Sequence, residues 1–175
     1  MTELRYVDPT RPPGAFARLY AALAATRPAK FISRHVNWKL DPILLRLTRG
    51  RVASTVVFPT ALLETTGARS STGRRNAVIY FHDQERVTIV ASNAGAARHP
   101  AWYHNLRVHP DVTLGGIAMV ASVVVDPSER ERLWLLSDRV FPAFARYLDD
   151  AAKIGRIIPV VQLTPRQSPP SSIDS

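Results

Sequence analysis

The feature that most limits what this chain can fold into is a change of hydrophobic period at residue 52. Beyond it, residues 52–58, 61–66, 76–81 and 86–92 are short runs rich in β-branched and aromatic side chains, each closed by proline, glycine or a charged turn. Runs of that length and composition are strands, not the faces of a helical core. Residues 82–85, His-Asp-Gln-Glu, read as a hairpin turn, and residues 112–114 and 117–125 as strands pivoting on Gly115-Gly116. With a closing strand at 157–163, six or seven strands follow one another mostly by hairpins, with few helices between them. That order predicts a mainly β fold with flanking helices, an α+β small antiparallel barrel, and argues against a doubly wound parallel sheet.

Helices are expected where the pattern breaks. Pro100 suits the first position of a short helix within residues 99–108. Asp126 reads as an N-cap, with Pro127 at the first helical position and Glu129 in the first turn, and a second helix follows Pro142. Short helices broken near Pro28 and Pro42 are expected over residues 14–50. Residues 1–13 contain Pro9, Pro12 and Pro13 and read as a flexible arm, while residues 165–175, with three prolines and four serines, read as a disordered tail. The expected plan is an arm at 1–13, a basic helical cap at 14–50, one barrel domain at 51–164 and a tail at 165–175.

The 175 residues carry a formal charge of +9, and residues 1–51 hold ten Lys or Arg against three acids. Such a stretch suits a solvated helical face, or an anionic membrane surface to which each basic residue contributes about 1 kcal/mol. No run approaches the roughly 18 apolar residues of a spanning helix, and the pattern of a secretory signal is missing at the N-terminus. A cytoplasmic location is therefore expected, with the cap as a peripheral contact at the inner face of the plasma membrane. Nucleic acid is not an expected partner, since no helix-turn-helix, zinc finger or aromatic platform is present.

Several chemistries are excluded. The chain has no cysteine, so disulfides, thiolate metal sites and cysteine nucleophiles are out. It lacks a Gly-x-Gly-x-x-Gly after a strand, a Walker lysine loop and a Gly-x-Ser-x-Gly elbow. His99, His104 and His109 are spaced by five, which on a helix turns each about 140° from the last, so no metal site is expected.

Two segments carry candidate chemistry. Thr65-Thr-Gly-Ala-Arg-Ser-Ser-Thr-Gly-Arg-Arg-Asn76 holds five hydroxyls, two glycines, three arginines and no acid. Glycines let backbone N–H groups turn toward a ligand, and guanidinium groups give paired bonds to phosphate or carboxylate. The same composition would also serve an exposed hairpin kept soluble by arginines. Residues 91–107 lead from a strand into a helix past small residues that leave room for a flat group. There Trp102 is placed to border an aromatic ring with Asn105 on a nearby face, or else to pack with Leu106 in the core.

The stretches at 62–80, 90–95 and 99–110 together resemble the deazaflavin-dependent nitroreductase and quinone reductase family, split β-barrel proteins of actinobacterial type with an FMN-binding-like barrel. The similarity covers about residues 34–163. The resemblance implies a site for coenzyme F-420. Its phosphate and polyglutamate tail would be gripped by Ala68, Arg69, Ser70, Arg74, Arg75, Asn76, Ala77, Val78 and Ile79. Its ring would be flanked by Val90, Ala91, Ser92 and Asn93 and by Ala101, Trp102, Tyr103, His104 and Asn105. Tyr147 corresponds to an aromatic of the family's substrate pocket and is the candidate catalytic residue, orienting the acceptor or donating a proton. The chain departs from the usual pattern at Ala68, where a basic residue is common, at Ser71, where glycine is usual, and at Gly73 and Ala77, where prolines are frequent. Arg75 is the candidate to supply the charge missing at Ala68.

The implied function is hydride transfer from the reduced deazaflavin to a quinone, nitro compound or activated alkene. Two other readings stand beside it. One is an FMN enzyme of the same barrel, needing a site for a compact phosphate. The other is a noncatalytic carrier of cofactor or lipid. Monomer and dimer both fit the pattern.

Overall fold

The computed structural model describes residues 4–11 and 58–166. The cap at 14–50, the strand at 52–58 apart from Phe58, and the tail beyond 166 lie outside the described residues. Within them, β1 (Thr60–Thr66), β2 (Gly73–Asp83), β3 (Arg86–Val90), β4 (Asp111–Leu114), β5 (Ile117–Val123) and β6 (Val160–Pro165) form an antiparallel barrel. They are ordered β1-β2-β3-β6-β5-β4 around it. The helices α1 (Ala101–Val108), α2 (Pro127–Val140) and α3 (Ala143–Ala152) flank the strands.

Period-two alternation builds two cores from one sheet. Ala61, Leu63 and Thr65 of β1 are buried, and Val78 pairs with Ala61 so that both face the barrel interior. Leu63, Tyr80, Ile89, Leu114 and Leu163 fill that interior. Phe81, Val90 and Val160 point the other way, into a second core with Leu133 of α2 and Phe144 and Tyr147 of α3. Neighbours along a strand face opposite sides, so a one-residue slip would exchange the two cores.

The connections follow local chemistry. The β2–β3 hairpin turns at Gln84 (φ +57°), and β4–β5 turns at Gly115-Gly116 (φ +57° and +87°), where two positive φ angles favour glycine. A side chain at Gly115 would also strike the Cδ1 of Leu4, 2.5 Å from where its Cβ would sit. The segment 4–11 has no regular secondary structure, as expected of the arm, but it is tied to β2. Val7 N donates to His82 Nδ1 at 3.1 Å, His82 N donates to Val7 O at 2.9 Å, and Tyr80 Oη donates to Arg5 O at 3.0 Å. Asp126 caps α2 by accepting from Glu129 N at 2.7 Å, as its position predicts.

Boundaries differ by a few residues. β2 begins at Gly73 and runs through Asp83, drawing His82 and Asp83 out of the expected turn. Pro100 is the cap of α1 and not its first residue. β6 starts later and ends on Pro165, opposite Met119, where a residue without an N–H costs no ladder bond. The barrel closes between β1 and β4 through Leu63↔Leu114 and Glu64↔Thr113. Past these pairs the two strands separate.

Candidate active site

The arginine-rich turn is built from its own backbone. Gly67 N donates to Thr72 O at 2.8 Å, Ser71 N donates to Gly67 O at 2.9 Å, and the Ser70 and Thr72 hydroxyls meet at 2.7 Å. Closing it this tightly puts Ser71 in the left-handed region, φ +51°. That is the physical reason a glycine suits this position.

Asn105 joins the turn to α1. Its Oδ1 accepts from Ala68 N at 3.0 Å and its Nδ2 donates to Thr65 Oγ1 at 3.1 Å. The Ala68 N–H can only donate, so the orientation of the Asn105 amide is fixed by its partners. The candidate segments at 65–76 and 101–105 are thus brought together. On the same helix Trp102 and Tyr103 are buried with Leu106 in the barrel core, so packing accounts for Trp102, while Ala101 and His104 face solvent.

The arginines divide by strand face. Thr65 pairs with Arg74 and Glu64 with Arg75, so Arg74 follows the inward-facing residue of β1 and Arg75 the outward one. Arg75 Nε meets Glu64 Oε1 at 2.5 Å, and its charge is already engaged. Arg69 and Arg74 are exposed, and among the described residues neither has a carboxylate partner. Where β1 and β4 part, Glu64, Thr65, Arg74, Arg75, Asp111 and Arg166 line part of an open groove of about 590 Å³, in which Glu64 and Asp111 pair with Arg75 and Arg166. That volume lies within the roughly 300–1,000 Å³ of small-molecule sites. Further along β2, Asn76, Ala77 and Ile79 are half-buried and Val78 lies in the core.

The second segment turns sharply. Val90 and Ala91 are buried in the two cores and Ser92 is buried at the end of β3, after which Asn93, Ala94 and Gly95 all have left-handed φ (48°, 51° and 74°). Gly95 lies against α3: a Cβ there would come within 3.1 Å of Tyr147 O and 3.0 Å of Asp150 Cβ. Tyr147 itself is buried, its ring 6.2 Å from those of Phe141 and Phe144.

One residue in this region was not legible beforehand. Arg156 Nε donates to His99 Nδ1 at 3.2 Å, and its terminal nitrogens donate to Ser92 O at 2.9 Å, Ala91 O at 2.7 Å and Ala96 O. An arginine after a glycine, in the loop before the closing strand, carries no local pattern that names partners about sixty residues away. Burial, then the charges of Arg156, His104 and Arg107, hold the His99 imidazole below the ordinary histidine range. Because Nδ1 accepts, the neutral ring carries its proton on Nε2. His99 precedes the helix, so helical spacing does not govern it, and its ring lies 5.9 Å from that of His104. Among the described residues no group of three His, Cys, Asp or Glu is arranged to hold a metal.

An antiparallel barrel with α1 packed into its interior core, α2 and α3 packed in the second core, and an arginine-rich turn clasped to α1 defines an α+β split-barrel class. Residues 39–165 match the F420H(2)-dependent quinone reductase profile. An F420H(2)-dependent quinone reductase of Mycobacterium tuberculosis is 34% identical over 149 residues, covering 79% of this chain and 98% of the relative. A solved F420-H2 dependent reductase superposes with a TM-score of 0.53 at 30% identity, covering 60% of this chain and 93% of that one. A solved domain-swapped dimer gives 0.54 at 27% identity, covering 71% and 96%. The chain belongs to the F420H(2)-dependent quinone reductase family and is an oxidoreductase of that family.

The donor set fits the family's coenzyme. An acidic tail needs cations not already paired with a carboxylate, and among the described residues Arg69 and Arg74 have no such partner.

Proposed function

We propose that this protein uses the reduced deazaflavin coenzyme F-420 to reduce a quinone. The observation that carries the reading is the turn itself: two arginines without acid partners among the described residues, on a backbone held to α1 by Asn105. When bound, the coenzyme supplies the hydride. The chain's residues bind, orient and shield. Arg69 and Arg74 take the anionic tail, with Ala68, Ser70, Arg75 and Asn76 around it. Val90 to Asn93 and Ala101 to Asn105 border the ring. Tyr147 is the residue proposed to orient the acceptor or donate a proton, although only its backbone lies against Gly95 and its ring is buried in the second core.

The test is a fluorescence titration of the purified protein with coenzyme F-420 and, separately, with FMN. Menadione, a nitroaromatic or an enone is then added to the reduced complex. Micromolar binding of F-420 and oxidation by menadione are expected. Tighter binding of FMN would favour the flavin reading, and binding without turnover would favour the carrier.

We further propose that the basic residues of 14–50 bring the enzyme to a lipophilic quinone at an anionic membrane surface. Among the described residues no helix is long and apolar enough to cross a membrane. Flotation with anionic liposomes, with and without residues 1–33, tests this, and equal flotation of both forms would remove the basic segment from the account.

A further inference from the structure

The loop from β3 to α1 is poor in means of holding its own shape. Residues 91–97 read Ala-Ser-Asn-Ala-Gly-Ala-Ala, so few side chains are available to pack or bond. Yet Asn93 and Ala94 both adopt left-handed backbone, which is unfavourable for a residue with a Cβ, above all for alanine. Such a conformation persists only where the surroundings over-determine it. Asn93 closes one end by donating from Nδ2 to Arg98 O at 2.8 Å. The rest is gathered by Arg156, whose guanidinium reaches the carbonyls of Ala91, Ser92 and Ala96 and the imidazole of His99. Arg156 is itself anchored to α3, its N–H donating to Ala151 O at 2.9 Å.

We infer that Arg156 is a positioning residue of the coenzyme site, fixing the 91–99 loop to α3 in the conformation that borders the ring. The inference rests on the coenzyme reading above for the loop's role, while the clamp itself exists without coenzyme. Arginine is required because its planar fork spreads donors over several acceptors at once, whereas a lysine has a single nitrogen. Among the described residues every partner of the guanidinium is neutral, so its charge beside the loop suits an electron-rich ligand edge. The same residue ties the loop to the end of α3 through its N–H on Ala151 O.

The experiment compares full-length Arg156→Lys and Arg156→Ala with wild type. Without coenzyme, hydrogen exchange of residues 91–99 should quicken in both variants while β1, β2 and β5 keep their protection. Coenzyme F-420 should bind more weakly by about tenfold, and kcat at saturating coenzyme should fall by about 10- to 100-fold with the KM for menadione little changed. Methylguanidinium should restore the alanine variant and not the lysine variant. If the alanine variant does not fold, the lysine variant carries the test. Unchanged loop exchange would overturn the clamp. Faster loop exchange with unchanged affinity and kcat, or a lowered Tm alone, would reduce Arg156 to a structural role and overturn the inference. A wild type that binds no coenzyme would instead sink the coenzyme reading, and with it the positioning role, even where the loop loosens as expected.

Discussion

Asn105 grips Thr65 and Ala68 with the two ends of one amide, Nδ2 donating to the Thr65 hydroxyl at 3.1 Å and Oδ1 accepting from the Ala68 N–H at 3.0 Å. The Asn105 side chain and Thr65 are buried, so the Thr65 hydroxyl cannot turn to water if the amide is lost. Asn105→Leu should cost about 1–3 kcal/mol, the penalty for stranding buried polar groups, seen as a lowered Tm. Asn105→Asp should be milder in stability, because a carboxylate accepts from both Ala68 N–H and the Thr65 hydroxyl. It should nevertheless weaken coenzyme binding, more at low salt than at high, by placing a negative charge beside the tail site. Equal coenzyme affinity in Asn105→Asp and wild type would separate this clasp from the tail.

The three arginines of the turn should not be equivalent. Arg69→Ala and Arg74→Ala each remove a cation with no acid partner among the described residues, and a lost charge-assisted bond corresponds to about tenfold in affinity. Arg75→Ala first releases Glu64 from its ion pair, and its effect on the coenzyme should be smaller. Isothermal titration at two salt concentrations checks this. A larger loss at Arg75 than at Arg74 would move the tail to the outer face of the β1–β2 hairpin.

Ser71 gives a prediction of opposite sign. Its φ of +51° is strained for any residue with a Cβ, so Ser71→Gly relieves about 1–2 kcal/mol of native strain against about 0.5–1 kcal/mol of added unfolded-state entropy. The glycine variant should be at least as stable as wild type, and Ser71→Val, with a branched Cβ in the same conformation, clearly less so. Thermal unfolding of the two variants decides it.

How much of this was written in the sequence differs between backbone and clasp. The strands at 61–66, 76–81 and 86–92 were legible as short runs rich in β-branched and aromatic residues closed by proline, glycine or charged turns, and Asp126, Pro127 and Glu129 mark a helix start by local chemistry alone. The composition of the 65–76 turn suited an anion site and a soluble exposed hairpin alike. What could not be read is which residues meet across the barrel. Asn105 is thirty-seven residues from Ala68, and Arg156 about sixty from the carbonyls it gathers, so their pairing exists only once the strands are in register. Arg75 shows the reverse limit: its charge suggested a substitute for Ala68, but strand alternation sends it toward Glu64. His99 and His104 were separated by a helical spacing that does not apply, because the helix starts after Pro100.

The docking of the 4–11 segment should depend on pH through His82. Its Nδ1 accepts from Val7 N at 3.1 Å, which only an unprotonated nitrogen can do, and Tyr6 and Tyr80 stand beside the ring at 4.7 and 5.8 Å. Burial holds its pKa below the ordinary value, so the folded chain binds this proton less tightly than the unfolded chain, whose histidine titrates near about 6.5. The stability that His82 contributes is therefore intact above that value and is lost as pH falls through the depressed folded value. His99 is shifted in the same direction, so acid destabilisation of the whole protein does not isolate His82. His82→Asn does: its amide oxygen can replace the acceptor and does not titrate. Hydrogen exchange at residues 4–11 should quicken in the wild type as pH is lowered from about 7.5 toward about 5, after correction for the intrinsic rate, and stay flat in His82→Asn. Parallel curves for the two proteins would mean that a different group releases the segment.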